Sequence, residues 1–408
     1  MIKGIVADLH IHGRFSRATS KNLTIANLEK WARIKGLNLL GTGDFTHPLW
    51  LKEIQENLSE ENEKGILKTK TNFPFILSTE ISLIYTDADK GRRVHLVLLA
   101  PSLQVVSQIT AYFLKKGRID YDGRPIFKIT CPELVEEMQK IDERIEIIPA
   151  HAWTPWFGIF GSMSGFDSLK EAFHEKSNKI HAIETGMSSD PEMNWRLSEL
   201  NEKTILSFSD AHSFWPFRIG REATIFNLSS EELEYHKLID AIRKNEINGT
   251  IEVDPAYGKY HWDGHRLCNF SCSPEESKKL NRICPICKKK LVIGVDNRVE
   301  QLANMPRGFK PSNAKPFYKI LPLQELLVIA NGGMISSIKN WQIYNKLIEV
   351  FGSELSILLE VEKEKIVSVS NEKIAELIIA NRKGNISVKP GYDGVYGIAS
   401  LAVQKKLF

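Results

Sequence analysis

The sequence predicts an α/β protein: a barrel of alternating strands and helices, then a small cysteine-bearing module, then a mainly helical C-terminal region. Three observations carry this. Apolar, strand-like runs alternate with amphipathic stretches through the first 230 residues. Nearly every one of those runs contains or ends in a carboxylate or an imidazole. Four of the five cysteines lie within twenty residues of one another, after the alternation has stopped.

The strand-like runs are 3–9, 37–41, 75–83, 93–99, 145–150, 180–185, 205–209 and 222–226. The amphipathic stretches between them include 24–36, 102–115, 131–141, 167–177 and 192–203. Strands separated by helices argue for a parallel sheet with covering helices. Seven or eight such units favour a closed barrel, with an open doubly wound sheet as the alternative. No G-x-G-x-x-G follows the first strand, so a dinucleotide fold has no support. With 408 residues, 42% of them hydrophobic, the chain can bury the cores of two or three domains. The expected divisions are a metal-dependent catalytic barrel at 1–230, a linking helix and zinc-binding module at 231–310, and a mainly helical domain at 311–408. The balance of 54 basic against 50 acidic residues says little by itself. No basic n-region precedes an apolar h-region and no apolar run has transmembrane length, so the expectation is a soluble cytoplasmic protein with no membrane partner.

The first run, KGIVADLHIHG at 3–13, carries Asp8, His10 and His12. Histidines at i and i+2 on extended backbone share a face and can take one metal ion together. One such pair reads equally well as an ordinary strand end; its recurrence favours a site. Asp44 and His47 follow the second run, Glu80 lies in the third, His95 in the fourth, and His151 ends the fifth. Glu184 ends the sixth, and Asp210 and His212 end the seventh. In a barrel these strand ends gather on one rim. His95, flanked by strand residues, also fits a core position. The set exceeds what one tetrahedral ion needs. Two or three divalent ions sharing carboxylates fit better, drawn from Zn²⁺, Mn²⁺ or Mg²⁺; the imidazoles favour the first two, as they would Fe²⁺. Such a cluster clamps the attacking and leaving oxygens of a phosphoryl group and acidifies water. No Ser–His–Asp or Cys–His set is evident, and Cys131, before Pro132, reads as structural. The chemistry indicated is metal-dependent phosphoester hydrolysis, with amide or imide hydrolysis as the rival.

Several residues near these segments are candidates for substrate contact. Arg14 and Arg17 suit phosphates. Trp153 and Trp156 in the loop 151–166, and Tyr257 and Tyr260 in 257–266, suit stacking on a base, or else pack their loops. Cys268-x3-Cys272 and Cys284-x2-Cys287 make a four-thiolate set suited to a structural Zn²⁺, with His261 and His265 near but not needed. Lys288 and Lys289 belong to a run of nine basic residues between Arg282 and Lys319, interleaved with Phe309, Phe317 and Tyr318. That pattern is a nucleic-acid surface or a solvated face. The stretch KPGYDGVYGIAS at 389–400 reads as a Gly-rich loop able to hold a phosphate, or as a tight turn.

On DLHIHG at 8–13, Glu80, His95, His151 and DAH at 210–212, the first segment resembles the polymerase and histidinol phosphatase (PHP) domain. The resemblance implies a distorted (β/α)7 barrel. It implies one ion on His10, His12, Glu80 and Asp210, a second on Glu80, His95 and His151, and a third on His212 with a residue of the 44–47 turn. Two departures bear on the third ion. Arg17 and Ala18 stand where the family often has another histidine, and the usual adjacent Asp–His is spread over Asp44, Phe45, Thr46 and His47. The whole order of barrel, four-cysteine module and helical region resembles the endonuclease Q family over nearly all of the chain. That likeness implies a DNA repair endonuclease, nucleoid-associated, with damaged DNA as its partner. It would cut 5′ to uracil, hypoxanthine, xanthine and abasic sites, leaving a 3′-hydroxyl and a 5′-phosphate. The catalytic set expected on this reading is Asp8, His10, His12, Glu80, Asp210 and His212. Gln404, Leu407 and Phe408 match the first half of a sliding-clamp binding box. The alternatives are a small-molecule phosphoesterase of the PHP superfamily and a non-catalytic nucleic-acid-binding protein.

Overall fold

Strand β1 (Ile5–Asp8) is buried along its whole length, as an apolar run covered on both faces requires. It pairs in parallel with β2 (Leu39–Gly41), and β2 pairs in parallel with β3 (Pro74–Asp87). The crossover helix α1 (Ile25–Lys35) starts at Thr24, whose hydroxyl accepts from Asn27 N, and stops at Gly36 with φ 99°, a left-handed cap that glycine adopts without strain. The computed structural model describes residues 3–60 and 64–401.

The parallel alternation expected from the sequence breaks at β3. This strand turns back directly into β4 (Lys90–Ala100) as an antiparallel hairpin of eleven paired residues. Ala88 and Asp89 at the turn both hold positive φ, 44° and 61°, as the two central residues of a tight hairpin turn must. Asn-Gly or Asp-Gly usually marks such a turn; Ala-Asp in those places hid it. β4 pairs antiparallel with β5 (Glu146–Pro149). Strands β6 (Ala182–Glu184) and β7 (Thr204–Leu206) form a separate parallel pair. Single backbone bonds, Ala152 N to Glu184 O and Thr185 N to Leu206 O, together with Ser207 N to Thr224 Oγ1, carry the ring on to β8 (Ala223–Phe226). β8 closes antiparallel onto β1. The result is a distorted α/β barrel.

After the helix Tyr235–Arg243, β9 (Ile247–Glu252) pairs with β8, and β10 (Phe317–Lys319) adds in parallel to β9. The chain thus returns to the barrel sheet after the cysteine-bearing segment. Helices Leu323–Asn331, Ile338–Phe351, Glu354–Leu359, Lys363–Val369 and Glu372–Arg382 follow. They are tied to α1 by a buried ion pair, Lys35 Nζ to Glu354 Oε1 at 2.7 Å. Glu354 also accepts from Leu323 N and the Tyr344 hydroxyl, so its charge is not left unsatisfied in the interior.

The stretch 389–400, expected as a free loop or inter-helix turn, belongs to a hairpin of Ile386–Lys389 against Ile398–Leu401. Gly391 and Gly397 lie against the backbone of Gly258 and Ala256 with no room for a Cβ, which holds this hairpin on segment 256–258. The clamp-box residues Gln404, Leu407 and Phe408 lie outside the described residues. No helix among the described residues is long and apolar enough to cross a membrane.

Candidate metal centre and adjoining cavity

Glu80, midway along β3, is the point on which the imidazoles converge. Its Oε1 lies 2.8 Å from His95 Nδ1, 3.1 Å from His151 Nε2 and 3.6 Å from His10 Nε2. Its Oε2 lies 3.4 Å from His12 Nε2. Asp210 Oδ1 is 3.0 Å from His12 Nε2 and 3.5 Å from His10 Nε2. Two donor groups result, His10–His12–Glu80–Asp210 and Glu80–His95–His151, each with its ligand atoms within 4.8 Å of one another and with Glu80 in common. Asp44, His151 and Asp210 hold positive φ of 45°, 30° and 48°. Such conformations cost a non-glycine residue about 1–3 kcal/mol and persist only where the surroundings enforce them.

The far side of three of the four rings is fixed by a polar partner. His10 Nδ1 lies 2.8 Å from Glu184 Oε2, His12 Nδ1 lies 3.0 Å from Asp44 Oδ1, and His151 Nδ1 lies 3.0 Å from Thr154 Oγ1. Partners of this kind turn the other ring nitrogen toward a metal and raise its basicity. His10 Nε2 is buried, faces the centre and has no hydrogen-bond partner. An imidazole-rich, carboxylate-bridged set with an orphan buried nitrogen fits divalent ions. Burial would push Glu80 up, but His95 and Arg124 outweigh it and hold it well below the usual glutamate range. Burial likewise opposes, and His12, His10 and His212 overcome, a low value for Asp210. Burial brings His95 down to about 4 despite Glu80, leaving a neutral ring fit for ligation.

Other candidates stand apart from the two groups. The Asp8 carboxylate accepts from Ser209 N at 3.0 Å, Ser209 Oγ at 2.5 Å and Gly220 N at 2.8 Å. It pins the turn beside Asp210 rather than facing the centre, against the expectation of a catalytic role, and burial raises its pKa to about 6. Asp44 is engaged with Gly13 N at 2.6 Å and Ser16 Oγ at 2.7 Å besides His12. The His47 ring is stacked on Phe15 at 4.8 Å. His212 Nδ1 lies 2.9 Å from the Asp210 carbonyl, and its ring lies 4.4 Å from His12. Neither His212 nor a residue of the 44–47 turn belongs to a group of three or more converging donors among the described residues.

Sequence reasoning placed Glu184 at a strand end without giving it a role. It missed Arg124, whose Nη1 lies 2.8 Å from Glu80 Oε2; nothing in the charged loop GRIDYDGRP sets this arginine apart from Arg118.

A cavity of about 400 Å³ opens beside the centre, lined by His95, His151 and Asp210 on one side and by Trp156, Phe157 and Tyr260 on another. The Trp156 and Tyr260 rings meet edge to face at 5.8 Å. Trp153 does not reach it. That ring is fully buried against Phe160, and its Nε1 donates to Asn194 Oδ1 at 2.7 Å, so packing claims the side chain proposed for base stacking. Tyr257 lines a neighbouring cavity of about 340 Å³ with Tyr396.

In the cysteine module the converging donors are His265, Cys268, Cys284 and Cys287. Cys272 is not among them. It lies opposite Asp263 in the hairpin Asp263–His265/Phe270–Cys272, whereas His265 lies opposite Phe270. Cys272 is therefore two residues, roughly 7 Å, further from the turn that carries Cys268. Lys288 and Lys289 are exposed. Of the basic run, Arg298 is taken by Asp167, Arg307 by Asp296 and Glu300, and Lys319 by Asp190. Arg14 is paired with Glu53 at 2.6 Å, and Arg17 is exposed, 3.4 Å from Asp122.

Comparison with known proteins gives these features a setting. Residues 322–385 match the family described as the MJ0043 C-terminal domain. The uncharacterized protein MJ0043 of Methanocaldococcus jannaschii is 31% identical over 258 residues, which is 62% of this chain and only 32% of that protein's length. The crystal structure of the lesion-specific endonuclease PfuEndoQ from Pyrococcus furiosus superposes with a TM-score of 0.86 at 31% identity, covering 99% of this chain and 97% of that one. An endonuclease Q in complex with a 27-mer duplex carrying an abasic lesion at the active site superposes with a TM-score of 0.85 at 31% identity, over 99% and 98%. Similar in sequence and architecture over nearly the whole of both chains, the protein belongs to the endonuclease Q family.

Proposed function

We propose that the chain is a metal-dependent DNA repair endonuclease, hydrolysing the phosphodiester 5′ to a deaminated base (uracil, hypoxanthine or xanthine) or an abasic site. One observation carries this reading: His95, His151 and Asp210 belong both to the donor groups and to the wall of the cavity faced by Trp156 and Tyr260. Groups suited to phosphodiester chemistry and a base-sized aromatic recess therefore meet at one place. A base stacked in a duplex reaches that recess only by swinging out, which costs a few kcal/mol and least where pairing is already poor. The abasic lesion at the active site of the endonuclease Q complex supports the same class of ligand here.

Divalent ions on the two donor groups, Zn²⁺, Mn²⁺ or Mg²⁺, would supply the charge that activates water and holds the phosphoryl oxygens. The protein's part is to arrange them. Glu80 is the shared carboxylate, Glu184 and Asp44 aim His10 and His12, and Asp8 fixes the turn bearing Asp210. A structural Zn²⁺ would be held by His265, Cys268, Cys284 and Cys287. Arg17, Lys288 and Lys289, exposed and cationic, are assigned to the DNA backbone. A sliding-clamp contact through Gln404, Leu407 and Phe408, and work on nucleoid DNA in the cytoplasm, belong to the same proposal.

The reading is tested by giving the metal-loaded protein a uracil-containing duplex and, separately, p-nitrophenyl phosphate. Nicking of the duplex with negligible monoester hydrolysis supports it. The reverse preference would make the protein a small-molecule phosphoesterase.

A further inference from the structure

Arg124 is the one guanidinium that reaches Glu80 Oε2 among the described residues. Its loop is held against the network that aims the metal-facing histidines. At Gly123 a Cβ would overlap Ser16 Oγ and Asp44 Oδ2, so only glycine lets the chain pass this close to the carboxylate that orients His12. The next residue back, Asp122, is buried and accepts from the backbone N–H of both Arg17 and Arg124. The Arg124 backbone is thereby fixed relative to Asp44, and its side chain relative to Glu80.

The guanidinium has donors to spare. One N–H lies on Glu80, and the side chain makes no other hydrogen bond among the described residues. Glu80 is fully buried, while the Arg124 side chain is 26% exposed. Asp210 and His212 are similarly part-exposed, at 30% and 32%, and both feel the Arg124 charge. These three side chains mark the open side of the centre. An anion approaching the shared carboxylate from that side meets the free edge of a planar fork whose geometry matches phosphate oxygens.

We infer that Arg124 is a further catalytic residue, donating to a non-bridging oxygen of the scissile phosphodiester. The inference rests on the proposed function for the identity of that diester. In the step it assists, the oxygen of a water molecule bonds to phosphorus and the P–O3′ bond breaks. One water proton ends on the departing 3′ oxygen, giving a 3′-hydroxyl and a 5′-phosphate. Negative charge grows on the non-bridging oxygens as the new bond forms. A donor held in place beforehand stabilises that charge without reorganising.

The test uses full-length Arg124→Gln and Arg124→Lys proteins beside wild type, with metal content measured in each. Inorganic phosphate is titrated calorimetrically into the metal-loaded proteins, and uracil-duplex nicking is followed under single-turnover conditions. The expected result for Arg124→Gln is unchanged metal content, phosphate binding weakened about tenfold or more, and nicking slowed about 10²–10³-fold. Arg124→Lys should recover part of the phosphate affinity. Unchanged phosphate affinity in Arg124→Gln overturns the assignment. So does loss of bound metal in that variant, which would make Arg124 a buttress for Glu80 alone. If wild type nicks no lesion duplex, the proposed substrate falls, while the phosphate titration still decides the role of Arg124.

Discussion

Glu184 Oε2 lies 2.8 Å from His10 Nδ1 and accepts the backbone N–H of His151 at 3.2 Å. One carboxylate at the end of β6 thus sets members of both donor groups. Glu184→Gln should keep the fold and weaken metal binding by roughly 10- to 100-fold, the usual effect of losing a partner behind a ligand. Metal titration of the stripped variant measures this. Wild-type affinity in Glu184→Gln would show that the contact is incidental.

The aromatic residues proposed for base stacking separate into two kinds. Trp156→Ala or Tyr260→Ala should remove about 1–3 kcal/mol of base stacking, slowing cleavage at uracil and hypoxanthine more than at an abasic site, which has no base to stack. Trp153→Ala should instead destabilise the protein by about 3–5 kcal/mol, as a large core truncation does, with no preference among lesions. Single-turnover rates on the three duplexes, beside denaturant unfolding, distinguish the two. Equal losses on all three substrates for Trp156→Ala would remove the recess from the account.

Much of the centre was legible because its chemistry is local in sequence. His10 and His12, two residues apart just past the end of β1, were paired by spacing alone, and Asp210 and His151 lie just past strand ends that any barrel gathers on one rim. What escaped depended on geometry that spacing does not encode. The β3–β4 hairpin was hidden by a turn without its usual residues. Cys272 sits at ribbon spacing and packs near the other cysteines, yet its place in the hairpin leaves it out of the converging donors, which His265 completes. Trp153 and Trp156 look alike in the sequence, and only packing separates a core ring from a cavity wall. Arg124 had no pattern at all, since what brings it to Glu80 is the tight passage at Gly123.

The histidine in the cysteine module yields a prediction of its own. Cys284→Ser and His265→Ala should each lose the structural ion and loosen the module, whereas Cys272→Ser should keep it. Metal analysis after gel filtration reads this directly. Zinc loss in Cys272→Ser equal to that in Cys284→Ser would restore the four-thiolate set.

Glu222 and Glu252 are both buried, and burial pushes both carboxyls up, helped at Glu222 by the charge of Glu252 and at Glu252 by that of Asp190. Their folded pKa values exceed the unfolded ones, so the native state holds protons that the unfolded state has released. The stability this adds is complete below the ordinary glutamate value of 4.5 and is lost as the pH rises toward about 8. Wild-type unfolding temperature should therefore fall across that window, and Glu252→Gln, which cannot ionise, should flatten the fall. Parallel curves for the two proteins would contradict the assignment.

A site that joins a phosphodiester-cleaving metal centre to a recess for an everted lesion must tell one base in a duplex from another. The most direct test is the single-turnover cleavage of end-labelled duplexes that differ only in one base, by metal-loaded wild type and by Asp210→Ala with its metal content measured. The expected result is a single nick 5′ to uracil, no nick in the matched undamaged duplex, and loss of cleavage by about 10²-fold or more in Asp210→Ala, in line with removing a group that organises transition-state charge, while duplex binding persists. Nicking of both duplexes at similar rates, or undiminished cleavage by metal-loaded Asp210→Ala, would contradict it.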